Sequence, residues 1–323
     1  MIKTYLKAIN EALDEAMSQN DNVVIIGEDV GIYGGSMGVT AGLLAKYGEK
    51  RVIDMPISET AFTGAAVGAA IVGLRPVVEI FFSDFITFAL DPLINHAAKL
   101  HFMSAGQINV PMVLRTDIGA GTGAAAQHSQ SIESLVLNTP GLRVLAPSNA
   151  RNAKGLMLSA IDDDGPVVFL EHKLLYKKEC DVPDCFYKTA IGKADISKEG
   201  SDITLIAYSY MSELALTAAK ELAMTGINAE VIDLLSLRPL DSETIINSVK
   251  KTGRAVVIQE APKFGGFAGE IVSLINEKTF DYLKAPVARV CGSEMPIAYN
   301  IDIEGKSIPS VESILEKVKE IMK

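Results

Sequence analysis

A chain of 323 residues with 48% hydrophobic and 22% charged side chains has the composition of a soluble, well-packed α/β protein, long enough for two domains. A net charge of −10, with no Lys/Arg-rich run or basic aromatic module, argues against nucleic acid as a partner. The most apolar window, residues 65–74, is far short of the roughly 20 residues of a membrane span, so no membrane is expected. MIKTYLKAINEALDEAM lacks signal-peptide architecture, and Cys180, Cys185 and Cys291 form an odd set without metal-like spacing; both fit a cytoplasmic protein.

Leu6, Ile9, Leu13 and Ala16 recur at helical spacing and predict an opening helix over 3–18. An apolar strand over 23–26 then leads into a loop with glycines at 31, 34, 35 and 38. Strand 51–54, helix 60–73, strand 76–82, helix 84–103 and strand 111–117 follow. A Gly/Ala loop (118–127), helix 129–138, strand 143–145, helix 149–161 and strand 167–170 complete the first half. The polar stretch 173–200 breaks this rhythm and places a linker at 186–200, between domains 1–185 and 201–323. The second domain alternates strands at 203–207, 230–234, 255–259 and 287–290 with helices at 211–224, 241–250, 266–276 and 310–322. Apolar strands without period-2 polarity, separated by helices, predict a mainly parallel sheet covered on both faces. Small residues at Gly64, Gly68, Ala69 and Gly73 suit a close helix contact, here across subunits.

Within RVIDMPISETAFTGAAVGAAIVG (51–73), Glu59 stands where a strand hands over to an apolar helix. Two readings are open there. Glu59 can be a first-turn acid beside a Ser58 or Thr60 cap, or a carboxyl in an apolar cleft with a raised pKa. His96 and His101, five apart, share no helix face and read as structural or exposed; His172 follows a strand end and is either functional or solvated. His128 lies in the polar run Gln127-His128-Ser129-Gln130, after the Gly/Ala loop and beside the helix expected from Ser129. Glu28, Glu59, Phe85 and His128 all follow strand ends, where open parallel sheets place their ligands, so one cleft can hold two carboxylates, an aromatic face and an imidazole. The glycines at 119, 121 and 123 miss the dinucleotide-binding spacing, and no nucleotide or zinc-protease motif occurs.

IIGEDVG, DMPISETAFTGAAVGAAIVGLRPVVEI, AAQHSQS, PGLRVLAPSNARNAKGLMLSAIDDDGPVVFLEHKLLY and ARVCGSEMPIAY occur in that order over nearly the whole chain. Together they resemble the beta subunit of the thiamine-diphosphate-dependent component of acetoin and 2-oxoacid dehydrogenase complexes. The resemblance implies a pyrimidine-binding parallel-sheet domain followed by a smaller transketolase-type C-terminal domain. It implies thiamine diphosphate, with Glu59 bonded to a nitrogen of the aminopyrimidine ring, Phe85 against that ring, Ile57 as an apolar wall and Glu28 as a proton-relay acid. It makes His128 an acid/base facing the substrate and the lipoyl group. The motif that holds diphosphate and Mg²⁺ in this family belongs to a partner alpha chain, so an α2β2 heterotetramer and a lipoyl-bearing acyltransferase core are the implied partners. The resemblance extends to a potassium site of main-chain oxygens at Met112, Ala160, Ile161, Asp163 and Gly165. FLEHKLLY and HSQS are most similar to acetoin dehydrogenase; pyruvate or branched-chain 2-oxoacid dehydrogenases are the alternative, and a non-catalytic interaction subunit the remote one. The second domain shows no comparable acid/base cluster in its sequence, and the resemblance implies that it supplies dimer contacts and a surface for the complex core.

Overall fold

The computed structural model describes residues 1–323, apart from the side chain of Ser36. Fourteen strands run as β1 (Ile2–Thr4), β2 (Val23–Gly27), β3 (Val52–Asp54), β4 (Arg75–Ile80), β5 (Val113–Ile118), β6 (Arg143–Leu145) and β7 (Val167–His172), then β8 (Glu179–Asp181), β9 (Asp195–Lys198), β10 (Ile203–Ala207), β11 (Ala229–Asp233), β12 (Ser236–Arg238), β13 (Ala255–Pro262) and β14 (Ala288–Gly292). The larger sheet has the order β12-β6-β7-β5-β4-β2-β3 and is parallel except for β12. The second sheet is β14-β13-β10-β11-β9, parallel except for β9 at its edge. Helices cover both, as buried apolar strands without alternation require. Among the described residues, no helix is long and apolar enough to cross a membrane.

The two halves interlock more than a simple linker implies. β12 lies in the second half of the sequence, yet it pairs antiparallel with β6 and closes one edge of the first sheet. β9, inside the expected linker, pairs with β11 and so belongs to the second sheet. β1 takes the first two residues of the expected opening helix, Lys3 and Thr4, and pairs with β8, leaving the helix to run Tyr5–Gln19. One hydrophobic cluster runs from Val24, Phe62 and Leu114 through to Ile206, Ile232, Leu237 and Ile245, so the core is continuous across both halves.

Two helical expectations change. The stretch expected as one helix over 84–103 is a short turn (Ser83–Phe85), a helix (Ile86–Leu90), a wider π-type segment (Asp91–Ala97) and a final turn (Ala98–Met103). Pro92 explains the break, because it lacks an N–H and crowds the preceding turn. The helix expected over 129–138 is only Glu133–Leu137, since the Gln130 carbonyl before it accepts the Gly119 amide and the Ser83 hydroxyl.

Beneath the carboxyl ends of the larger sheet lies a buried charged ladder. Arg115 on β5 donates to Glu171 on β7 through Nε and Nη2 (2.7 and 2.6 Å) and to Glu79 on β4 through Nη1. Tyr176 adds a hydroxyl to Glu171 at 2.8 Å. A buried guanidinium that meets two carboxylates satisfies its donors and fixes the register of three adjacent strands.

Candidate active site

Strands β3, β2, β4 and β5 are neighbours, and the segments leaving their carboxyl ends carry Glu59, Glu28, Phe85 and His128 respectively. Glu59 opens the helix Glu59–Ile71. Neither expected cap operates there: Ser58 stands at the cap position without a side-chain bond, and its carbonyl accepts from the amides of Ala61 and Phe62. Thr60 instead donates its hydroxyl to the Phe88 carbonyl at 2.5 Å, tying the head of this helix to the aromatic segment after β4. Glu28 faces the same space. Burial raises its carboxyl above the usual range, and the charges of Glu59 and Asp29 add to the effect. The Glu59 charge therefore disfavours ionisation of Glu28.

Phe85 and Phe88 stack with centroids 6.4 Å apart and planes 21° apart. His128 stands edge-on to Phe85 at 5.4 Å and to Phe82 at 4.6 Å. Phe82 was not singled out in the sequence. It holds a φ of 53°, unusual for a residue with a side chain, and its amide donates to Asp117 Oδ1 at 2.9 Å. That turn aims the ring at His128. Ile57 is 83% exposed, an apolar side chain at the mouth of the cleft.

Segment 119–132 is not the helix-leading loop that its composition suggests. Lys173, immediately after β7, sends Nζ to the carbonyls of Gly119 (2.8 Å) and His128 and lies 5.1 Å from the Phe82 ring centre. Burial pushes its ammonium down, against the charges of Asp117, Asp84, Glu260 and Glu304. His172 is buried, not solvated, and its ring stacks on Tyr210 at 5.0 Å. Its Nδ1 accepts the Leu174 amide, so Nε2 carries the proton shared with Glu260 at 2.7 Å. Glu260, from β13 of the second domain, also accepts the Ala120 amide at 2.7 Å. Burial raises the Glu260 carboxyl, but His172, the Ala120 amide and Lys173 together hold it below its usual range. The second domain therefore brings an acid to this loop, Glu260, paired with a histidine of the first.

The acidic turn 162–165 sits at the opposite end of the sheet, before β7. Arg75 Nη1 donates to the carbonyls of Ile161 and Asp163, both at 2.9 Å, and Nη2 to Asp164 Oδ1 at 2.8 Å. Arg143 pairs with Asp163 Oδ2 at 2.9 Å, and the Met112 carbonyl accepts the Val167 amide at 2.9 Å. A potassium ion here would share two of its expected oxygens with a guanidinium. His96 lies beside Asp91, and His101 bonds the Ile108 carbonyl through Nδ1; both stand apart from the cleft.

A half-cleft with two coupled carboxylates, an aromatic wall and an imidazole sits on a sheet of the predicted kind. Residues 3–179 match the model for the transketolase pyrimidine-binding domain, and residues 192–314 that for the transketolase C-terminal domain. The chain belongs to the transketolase-type E1 beta subunits. It is 46% identical to a pyruvate dehydrogenase E1 component subunit beta from Rickettsia conorii, over 98% of both chains. It is 48% identical to a mitochondrial pyruvate dehydrogenase E1 beta-2 subunit of Oryza sativa, covering 98% of this chain and 85% of that one. It is 42% identical to the beta subunit of a Bacillus subtilis acetoin:2,6-dichlorophenolindophenol oxidoreductase, covering 98% and 96%. A solved structure described as a split-gene transketolase in an inactive beta4 tetramer superposes with a TM-score of 0.78 at 24% identity, over 98% of this chain and 97% of that one, which shows the shared fold.

Proposed function

We propose that this chain is the beta subunit of a thiamine-diphosphate-dependent dehydrogenase that cleaves acetoin and passes the acetyl unit to a lipoyl-bearing acyltransferase. The observation that carries the thiamine reading is the placement of Glu59 and Glu28 on adjacent strand ends, beside the segment that bears the Phe85–Phe88 stack and is tied to the head of the Glu59 helix through Thr60. A flat aminopyrimidine ring fits that donor set: a carboxylate for a ring nitrogen, an aromatic face on one side and the apolar Ile57 beside it. When bound, thiamine diphosphate supplies a carbon nucleophile that adds to the substrate ketone. Glu59 holds and exchanges a proton at the pyrimidine nitrogen, work for which a carboxyl in a partly desolvated cleft is suited. Glu28, whose carboxyl is raised above the usual range by burial and by the charges of Glu59 and Asp29, is the acid placed to accept and return that proton. His128, walled by Phe82 and Phe85, delivers a proton at the mouth to the sulfur that leaves when the lipoyl ring opens.

This half-cleft is exposed on one side at Ile57, which supports a partner alpha chain that covers it and brings the diphosphate and Mg²⁺ ligands. Lys173, which bonds the His128 carbonyl, is committed to that carbonyl and to that of Gly119, and an uncharged hydroxyketone asks for no free cation from this chain. A second reading, decarboxylation of pyruvate, is favoured by the 46–48% identities to pyruvate dehydrogenase subunits against 42% to the acetoin enzyme. The test is a substrate panel on the enzyme assembled with its alpha chain, with a dye as electron acceptor. Acetoin turned over much faster than pyruvate or 2-oxoisovalerate is expected; the reverse order moves the assignment to a 2-oxoacid and leaves the half-cleft argument intact.

A further inference from the structure

Glu304 is fully buried, 181 residues downstream of the loop that it touches. Its two carboxylate oxygens accept one amide each, from Gly121 at 2.8 Å and Gly123 at 2.9 Å. Both glycines have positive φ, 102° and 68°, which turns their N–H groups into a shallow cup around a single anion. The acid is not there for its own helix. It ends the four-residue helix Ile301–Glu304, where a negative charge opposes the helix dipole. Burying a carboxylate in that position costs free energy unless donors meet it, and the two loop amides are the donors present.

The loop so gripped is the one that carries His128. Lys173 holds both ends of segment 119–128 through the Gly119 and His128 carbonyls, and Glu260 takes the Ala120 amide. Between Ala120 and His128, the only bonds from outside the loop are those to Glu304 among the described residues. We propose that Glu304 is a positioning residue: through Gly121 and Gly123 it lets the C-terminal domain set the reach of His128 into the cleft. This deepens the role assigned to His128 above and rests on it.

A glutamine at 304 keeps the shape but turns one acceptor into an NH₂ group that faces an N–H. The test compares Glu304→Gln, His128→Ala and the double variant in the assembled enzyme, by acetyl transfer to lipoyl protein, by dye reduction and by hydrogen exchange of the peptide spanning 119–131. Exchange of that peptide should rise roughly tenfold or more in Glu304→Gln, the factor carried by one charge-assisted hydrogen bond. Lipoyl transfer should fall more than dye reduction, as in His128→Ala, and the double variant should lose no more than His128→Ala alone. Unchanged exchange, or losses that multiply in the double variant, overturns the proposal. If His128→Ala itself lowers both rates equally, the lipoyl role of His128 falls, and the clamp is read from exchange and from non-additivity of the dye rate alone. Should Glu304→Gln not fold, Glu304→Asp, which withdraws the charge by one methylene, is read by the same criteria.

Discussion

Gly119→Ala probes the joint between the two domains with a single methyl group. Gly119 has a φ of +92°, and a Cβ there would fall 2.5 Å from His172 Cδ2 and 2.7 Å from Cε1, with Nε2 closer still. The imidazole cannot swing aside, because it stacks on Tyr210, accepts the Leu174 amide and meets Glu260. The backbone conformation alone costs a residue with a Cβ roughly 1–2 kcal/mol. Displacing His172 from Glu260 forfeits a hydrogen bond to a charged group, roughly 1.5–3 kcal/mol. The sum, about 2.5–5 kcal/mol, corresponds to a drop in Tm of roughly 4–7 °C for a chain of this size, at an unfolding entropy of about 2.1 cal/mol/K per residue. Thermal melts of wild type and variant at neutral pH measure it, and a Tm within about 2 °C of wild type would refute the claim that this ring is locked.

Asp233, buried between Ser148 and Ser212, is pushed up to about 7 by burial, against its hydrogen bonds to the two serines. Its folded pKa exceeds the unfolded value of about 3.9, so stability falls as pH rises from about 4 to 7. Asp233→Asn should flatten that slope in denaturant melts across this range, and an unchanged slope would remove Asp233 as its source. His128→Ala should reduce acetyl transfer to lipoyl protein more than dye-coupled turnover, because a dye needs no proton at sulfur; equal losses would leave it a binding or structural residue. Gly68 sits on an open helix face where an added Cβ meets nothing within 4 Å. Gly68→Leu should therefore leave the melt of the isolated chain within about 1 kcal/mol of wild type, yet weaken assembly with the alpha chain in sedimentation runs; unimpaired assembly would place the contact elsewhere.

The alternation of apolar strands and helices was enough to read the parallel sheet, and with it the rule that ligands gather at carboxyl ends. That placed Glu28, Glu59, Phe85 and His128 after strand ends, and the sheet order makes those four strands neighbours. Long-range bonds were not legible. Ser129 to Ile132 carry helix-compatible residues, but the preceding loop is tied to Glu260, Glu304 and Lys173, and the helix starts only at Glu133. Nothing in local spacing announces that β12 crosses to the first sheet or that β9 leaves the linker for the second. The Ser58 or Thr60 cap failed for a tertiary reason, because Thr60 is drawn to Phe88. Pro92 lies inside the stretch expected as one helix, and the π-type segment is its physical consequence. Phe82 could have been suspected only from the paired aromatics before Ser83, since its left-handed backbone is set by Asp117.

The central claim is that Glu59 exchanges a proton with the cofactor's pyrimidine rather than merely heading a helix. Glu59→Gln keeps size and hydrogen-bonding capacity but cannot carry that proton. In the enzyme assembled with its alpha chain and thiamine diphosphate, exchange of the thiazolium C2 proton, followed by NMR after quenching from D₂O, should slow by at least roughly 10²-fold. Exchange at the wild-type rate would contradict the account and return Glu59 to the role of a first-turn acid.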